Sequence, residues 1–232
     1  MKTRISPIAA MLIMMSLAIP NVSFAQPGAK VNKNTDKTEN EKIQLFNGKD
    51  LSNWVFHLKD PAVDPTTVFT VKNGVINISG NPFGYMRTKE SYSDYKLHAE
   101  WRWPGEAINS GVFLHGQQPD TIWLKCIECQ LKAGSAGDFV CMNGADMSER
   151  TNKASRVVNK MAASSEKTAG EWNTLEVTCS ANTIEVTVNG VLQNKGTNVS
   201  LTGGHICLQS ESKEVEFRNV TLTKLKQLGL KK

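Results

Sequence analysis

The chain has 232 residues, with 27 Lys and Arg against 22 Asp and Glu for a formal net charge of +5. That excess is too mild and too scattered to point to nucleic acid as a partner. With a leader segment set aside, about 200 residues remain, enough for one domain with a real core and too few for two.

Lys2 and Arg4 form a charged start, residues 8–19 are nearly all apolar, and Ser23-Phe24-Ala25 is a small-x-small cleavage signal. This is the layout of a secretory signal peptide over residues 1–25, so the protein is expected to be exported, to the periplasm or beyond. The apolar run is about a dozen residues long where a membrane-spanning helix needs roughly 20. No transmembrane segment is therefore expected after cleavage, and no Cys follows the run to suggest a lipid anchor. Residues 26–42 nearly lack large apolar side chains and read as a flexible linker. A folded domain is expected over 43–225, with 226–232 as a C-terminal tail.

From Leu45 onward, short β-prone runs alternate with Gly, Asn, Asp and Pro, and no long segment keeps a helical period. This pattern indicates an all-β sandwich or barrel. Strands are expected over 68–71, 75–79, 95–103, 110–115, 123–131, 138–141, 174–180, 183–188, 204–209 and 214–223. Lys72-Asn73-Gly74 joins the first pair and Val188-Asn189-Gly190 marks a later reversal, because Asn-Gly tolerates the positive φ of tight hairpin turns.

The two-residue period of a strand assigns side chains to faces. Leu97, Ala99, Trp101 and Trp103 fall on one side of 95–103, and Lys96, His98, Glu100 and Arg102 on the other. In 123–131, Ile127, Cys129 and Leu131 oppose Cys126, Glu128 and Gln130. All five cysteines (126, 129, 141, 179 and 207) follow the leader, and their odd number leaves at least one unpaired. Cys126 and Cys129 form a C-x-x-C, but strand spacing sends them to opposite faces, against a shared zinc or redox site.

Hydrogen-bonding and aromatic side chains concentrate between Glu100 and Asp138: Arg102, Trp103, Asn109, His115, Trp123, Lys125, Glu128, Gln130 and Asp138. Planar polar groups suit sugar hydroxyls, and aromatic faces suit C–H-rich sugar rings. Trp101 and Trp103 read as core because they share the face of Leu97. Glu128 and Gln130 lie about 7 Å apart on one strand face. Two-carboxylate hydrolysis would need a second acid from a neighbouring element, with Glu100 and Asp138 as candidates. Asp138 also suits a hard cation, though one carboxylate is not a cage.

Seven ordered motifs carry a family resemblance. They are Phe46-Asn47-Gly48-Lys49-Asp50-Leu51-Ser52-Asn53-Trp54, Asn109-Ser110-Gly111-Val112, Ile127-Glu128-Cys129-Gln130-Leu131, Gly170-Glu171-Trp172-Asn173, Val188-Asn189-Gly190, Gly204-His205-Ile206-Cys207-Leu208-Gln209 and Val215-Glu216-Phe217-Arg218-Asn219-Val220. In order and spacing the chain resembles the 3-keto-disaccharide hydrolase family. The resemblance implies a concanavalin-like jelly-roll β-sandwich of two curved antiparallel sheets. It implies a carbohydrate substrate already oxidised at C3 by an upstream sugar dehydrogenase, and it points to Asn109, Glu128, Gln130, Gln209 and Arg218.

A C3 ketone acidifies the C2 hydrogen, so one base can expel the C1 substituent and water can add back. Glu128 or His115 could serve as the base, with Arg102, Lys125 or a bound divalent cation steadying the oxyanion. The sequence itself requires no cofactor. Lys125, Trp123 and Asp138 join the motif residues as expected substrate contacts. A non-catalytic sugar-binding module needs only amides and aromatic platforms, and an envelope interaction protein would need neither.

Overall fold

The computed structural model describes residues 41–226. The expected signal peptide, nearly all of the expected linker and most of the expected tail lie outside the described residues.

The described residues form strands β1 (Lys42–Gln44), β2 (Trp54–Leu58), β3 (Phe69–Lys72), β4 (Val75–Ile78), β5 (Gly84–Thr88), β6 (Tyr95–Arg102), β7 (Gly111–Gly116) and β8 (Cys126–Gln130). They continue with β9 (Phe139–Met142), β10 (Val157–Val158), β11 (Asn173–Ser180), β12 (Thr183–Val188), β13 (Val191–Gly196), β14 (His205–Ser210) and β15 (Val215–Lys224). A single helical turn, α1 (Pro65–Val68), precedes β3. Asp64 caps it by accepting the Thr66 backbone N–H, and Pro65 stands at its first position, where no N–H is needed. The strand expected from residue 68 therefore begins one residue later.

The chain folds as a concanavalin-like jelly roll. One sheet runs β13-β12-β11-β6-β15-β4-β3, with β1 also pairing β15, and the other runs β10-β9-β8-β7-β14-β5-β2. Every recorded ladder is antiparallel, so strands distant in sequence, such as β6 and β15 or β7 and β14, meet in the sheet centres. Both expected Asn-Gly reversals form: Asn73 and Gly74 have φ of 53° and 75°, and Asn189 and Gly190 have 50° and 79°.

The period-two reading places the core correctly. Leu97, Ala99, Trp101 and Trp103 face inward, as do Ile184, Val186 and Val188. They meet Val112, Leu114, Ile127, Cys129, Ile206 and Leu208 from the opposite sheet. The outer face of the β7-β8-β14 sheet is not uniformly wet. Tyr85, Phe113, Leu124, Cys126, Val140, Met142 and Cys207 form a second buried apolar cluster there. Its cover is the 117–125 loop, which folds back over the sheet. Arg87 holds the Asp120 carboxylate from Nε and Nη2, each at 2.8 Å. The Tyr85 hydroxyl lies 3.2 Å from Asp120 Oδ1 and 3.1 Å from the Thr121 carbonyl, both acceptors.

Candidate functional site

Register builds the site on the outer face of the second sheet. Glu128 pairs with Phe113 and Gln130 with Gly111 across β7 and β8. On the other side of β7, Leu208 pairs with Val112, which sets Gln209 beside Gly111. Gln209 in turn pairs with Tyr85, and Tyr85 with His57. Asn109 enters from the loop before β7 and Glu211 from just beyond β14.

Gly111 is the gap in this arrangement, because a Cβ at that position would collide with the Glu128 carboxylate. Glu128 therefore leans over bare backbone. It is only 4% exposed, and its side chain has no hydrogen-bond partner among the described residues. Burial pushes the Glu128 carboxyl up to about 8, Glu211 adds to the rise, and Arg156 opposes it. Burial also raises Glu211, against the amides of Asn109 and Gln209 and the cations Arg156 and Lys132.

The amides around these acids are only partly satisfied. Gln209 is 2% exposed, and its Oε1, like Asn109 Oδ1, is buried without a partner. Such atoms cost free energy unless something pairs with them, so together they define a place built to receive a polar ligand. Gln130 differs, since its Oε1 accepts the backbone N–H groups of Leu131 and Lys132 at 3.0 and 2.9 Å. This leaves its NH2 as a donor. Trp123, expected within a strand, lies in the covering loop, because β8 starts only at Cys126. It is 52% exposed and tilts against Phe83 with centroids 5.1 Å apart. An aromatic surface thus stands on a sheet edge that also presents polar groups.

Several residues expected at the site lie elsewhere. His115 adopts a φ of 55°, which turns its ring away from the outer face. Its Nδ1 lies 2.8 Å from the Leu201 carbonyl, and its ring meets Tyr95 of the core edge-on. Arg102 and Arg218 belong to β6 and β15 on the opposite sheet. Arg102 pairs with Glu216 and Arg218 with Glu100, and both guanidiniums lie over the Trp172 ring, at 4.7 and 4.1 Å from its centroid. Glu100 is therefore no partner for Glu128. Asp138, the other candidate acid, accepts the Lys160 backbone N–H at 2.7 Å and anchors that loop. Lys125 is exposed, and its backbone carbonyl accepts from Gln117.

The structure thus brings together Asn109, Glu128, Gln130 and Gln209 and adds two residues, Glu211 and Arg156. Glu211 lies in a polar run resembling a plain turn. Arg156 is carried in by the pairing of β10 with β9, where Cys141 donates to the Arg156 carbonyl. Their only sequence signal was the spacing of Glu211, two residues past Gln209. No group of three or more His, Cys, Asp or Glu side chains converges as a metal cage among the described residues.

A jelly-roll sandwich with paired carboxylates and amides on one sheet face belongs to the carbohydrate-active domains. More narrowly, the chain is a member of the 3-keto-alpha-glucoside-1,2-lyase-like domain family, whose model matches residues 41–223. A glycosyl hydrolase structure from Parabacteroides distasonis is similar at 22% identity and a TM-score of 0.59, covering 82% of this chain and 96% of that one. A Bacillus licheniformis β-glucanase aligns at 13% identity and a TM-score of 0.55, over 81% and 98% of the two chains. A carbohydrate binding module from Bacillus subtilis aligns at 9% and 0.55, over 74% and 96%. At these identities the likeness speaks for the fold. No curated protein matches the chain at a significant level.

Proposed function

We propose that this chain cleaves the glycosidic bond of 3-keto-glycosides, such as 3-keto-disaccharides, by C2 proton abstraction, elimination and rehydration. The observation that carries the reading is Glu128, a buried carboxyl leaning over the bare backbone of Gly111, set among the amides of Asn109 and Gln209, whose own oxygens are unpaired. Substrate hydroxyls would donate to those amide oxygens, and Glu128 would transfer a proton in the reaction. The C3 ketone supplies the acidity that a single protein carboxylate cannot force on an ordinary sugar. Trp123 and Phe83 offer ring faces to a saccharide on the same side of the domain. The substrate must be supplied by a dehydrogenase that oxidises the C3 hydroxyl.

The first 25 residues support export, with cleavage after Ala25. Mass analysis of the secreted chain would show Gln26 as its first residue.

The reaction is tested by incubating the protein in heavy water with a 3-keto-disaccharide and, separately, with its unoxidised parent. Released 3-keto sugar should carry deuterium at C2 at early times, above a protein-free control and in step with turnover, while the parent stays intact. Rapid cleavage of the parent, or product without C2 label, would defeat the elimination reading. Saturable binding without turnover would favour a sugar-binding module, which the exposed Trp123 also suits.

A further inference from the structure

Two carboxylates face the site, and their surroundings differ. Glu211 is half-buried at the end of β14, with the side-chain amides of Asn109 and Gln209 beside it and the cations Arg156 and Lys132 within electrostatic reach. Each of these favours an ionised carboxylate. Glu128 sits deeper, over Gly111 and against the apolar wall of Phe113 and Val140, with which it pairs in register. None of the described residues donates a hydrogen bond to its side chain.

We infer that the two act as a pair on the substrate, Glu211 as the base that takes the C2 hydrogen and Glu128 as the acid that protonates the departing glycosidic oxygen. This inference rests on the elimination reading above, and it adds a residue and a division of roles. Burial raises both acids, Glu128 to about 8, but at Glu211 the amides of Asn109 and Gln209 and the cations Arg156 and Lys132 oppose the rise, whereas at Glu128 only Arg156 does. Neighbouring acids whose environments separate them in this way divide into proton donor and proton acceptor.

The proton balance closes. Glu211 takes the C2 proton, the freed electron pair forms a C1=C2 double bond conjugated with the C3 ketone, and the C1–O bond breaks. The departing oxygen receives the proton of Glu128. The carboxyl proton on Glu211 exchanges with solvent while the enone is bound; water then adds at C1 and gives a proton to Glu128, and Glu211 delivers a solvent-derived proton to C2. Both carboxyls end as they began, and one water has been added across the glycosidic bond.

Leaving-group dependence separates the roles. Glu128→Gln should slow cleavage of a 3-keto-disaccharide by at least about 100-fold, the scale of lost general acid catalysis. A 3-keto nitrophenyl glycoside should lose no more than about tenfold in the same variant, because nitrophenoxide departs without a proton. Glu211→Gln should lose at least about 100-fold on both substrates and no longer exchange the C2 hydrogen in heavy water, whereas Glu211→Asp, which keeps the carboxylate, retains measurable exchange. Melting curves for each variant separate lost chemistry from lost fold. The pairing is overturned if Glu211→Gln keeps wild-type exchange, or if Glu211→Gln is the variant rescued by the nitrophenyl substrate. Wild-type turnover without C2 label would instead overturn the elimination reading, before any variant is compared.

Discussion

Folding buries Glu128 without giving its side chain a hydrogen bond from the described residues, so the ionised form is the one the native state resists. The sign of the pH effect follows. The carboxyl titrates at about 8 in the folded chain against an ordinary 4.5, so between those values the native state holds a proton that the unfolded chain has released. Stability is therefore full below about pH 4.5 and declines as pH rises through 8. Glu128→Gln has no charge to bury, and its melting temperature should gain on wild type between pH 5 and pH 9, reflecting on the order of several kcal/mol of linkage. A difference that stays constant with pH would show that the carboxyl is solvated. Gly111 is the complementary case. Gly111→Ala would push the Glu128 carboxylate aside, and kcat/KM should fall by roughly 100-fold, as misplacement of a reacting group does, while circular dichroism stays that of the wild type. Glu128 and Gln130 were legible as a pair because the strand period alone puts them on one face. The turned ring of His115 was not, since a φ of 55° inside an apolar run leaves no mark on the residue pattern.

Among the elements, the motif residues serve two purposes that sequence alone does not separate. Those on β7, β8 and β14 line the candidate site, whereas Trp172 and Arg218 clasp the opposite sheet together with Arg102. The indole of Trp172 lies under two guanidiniums, each tied to a glutamate, and Asn219 adds a 2.7 Å hydrogen bond to Glu100. Cation–π contacts at partly exposed sites stabilise by about 0.5–1 kcal/mol each. With the lost ring packing, Trp172→Ala should cost about 2 kcal/mol in denaturant unfolding and leave kcat/KM within a few-fold. Loss of activity with stability intact would return this cluster to the site. Strands β5 and β13 escaped the sequence reading for opposite reasons. In Gly84-Tyr85-Met86-Arg87-Thr88 every residue but Arg87 is buried, so no alternation appears, and β13, Val191–Gly196, exposes Val191 and Leu192 while burying Gln193 and Asn194. Tertiary pairing decides both.

At the scale of the molecule, what was legible is what repeats. Alternating apolar residues, Asn-Gly reversals and the absence of a helical period specify two sheets and their inner faces. The location of the chemistry was less legible, because it depends on which sheet each strand joins: β6 and β15 take their arginines to one sheet, and β8 and β14 take Glu128 and Gln209 to the other. The same partition explains the cysteines. Cys129, Cys141 and Cys179 belong to the core between the sheets, and Cys126 and Cys207 to the apolar cluster under the 117–125 loop. All five are buried and unpaired, and burial raises every one of these thiols, Cys141 to about 11 and Cys179 to about 12. A thiol that is neither ionised nor reachable does not exchange, so an oxidising compartment would leave them reduced for as long as the sandwich stays closed. Native protein should therefore react with no thiol reagent on the timescale of minutes, and all five thiols should react once denaturant unfolds it without reductant. Because the groups span both clusters, their reaction at low denaturant should follow a single rate, that of global opening. Fewer than five reactive thiols in the unfolded chain would reveal a disulfide. One or two reacting ahead of the rest would show instead that the 117–125 loop lifts from Cys126 and Cys207 while the core between the sheets remains shut.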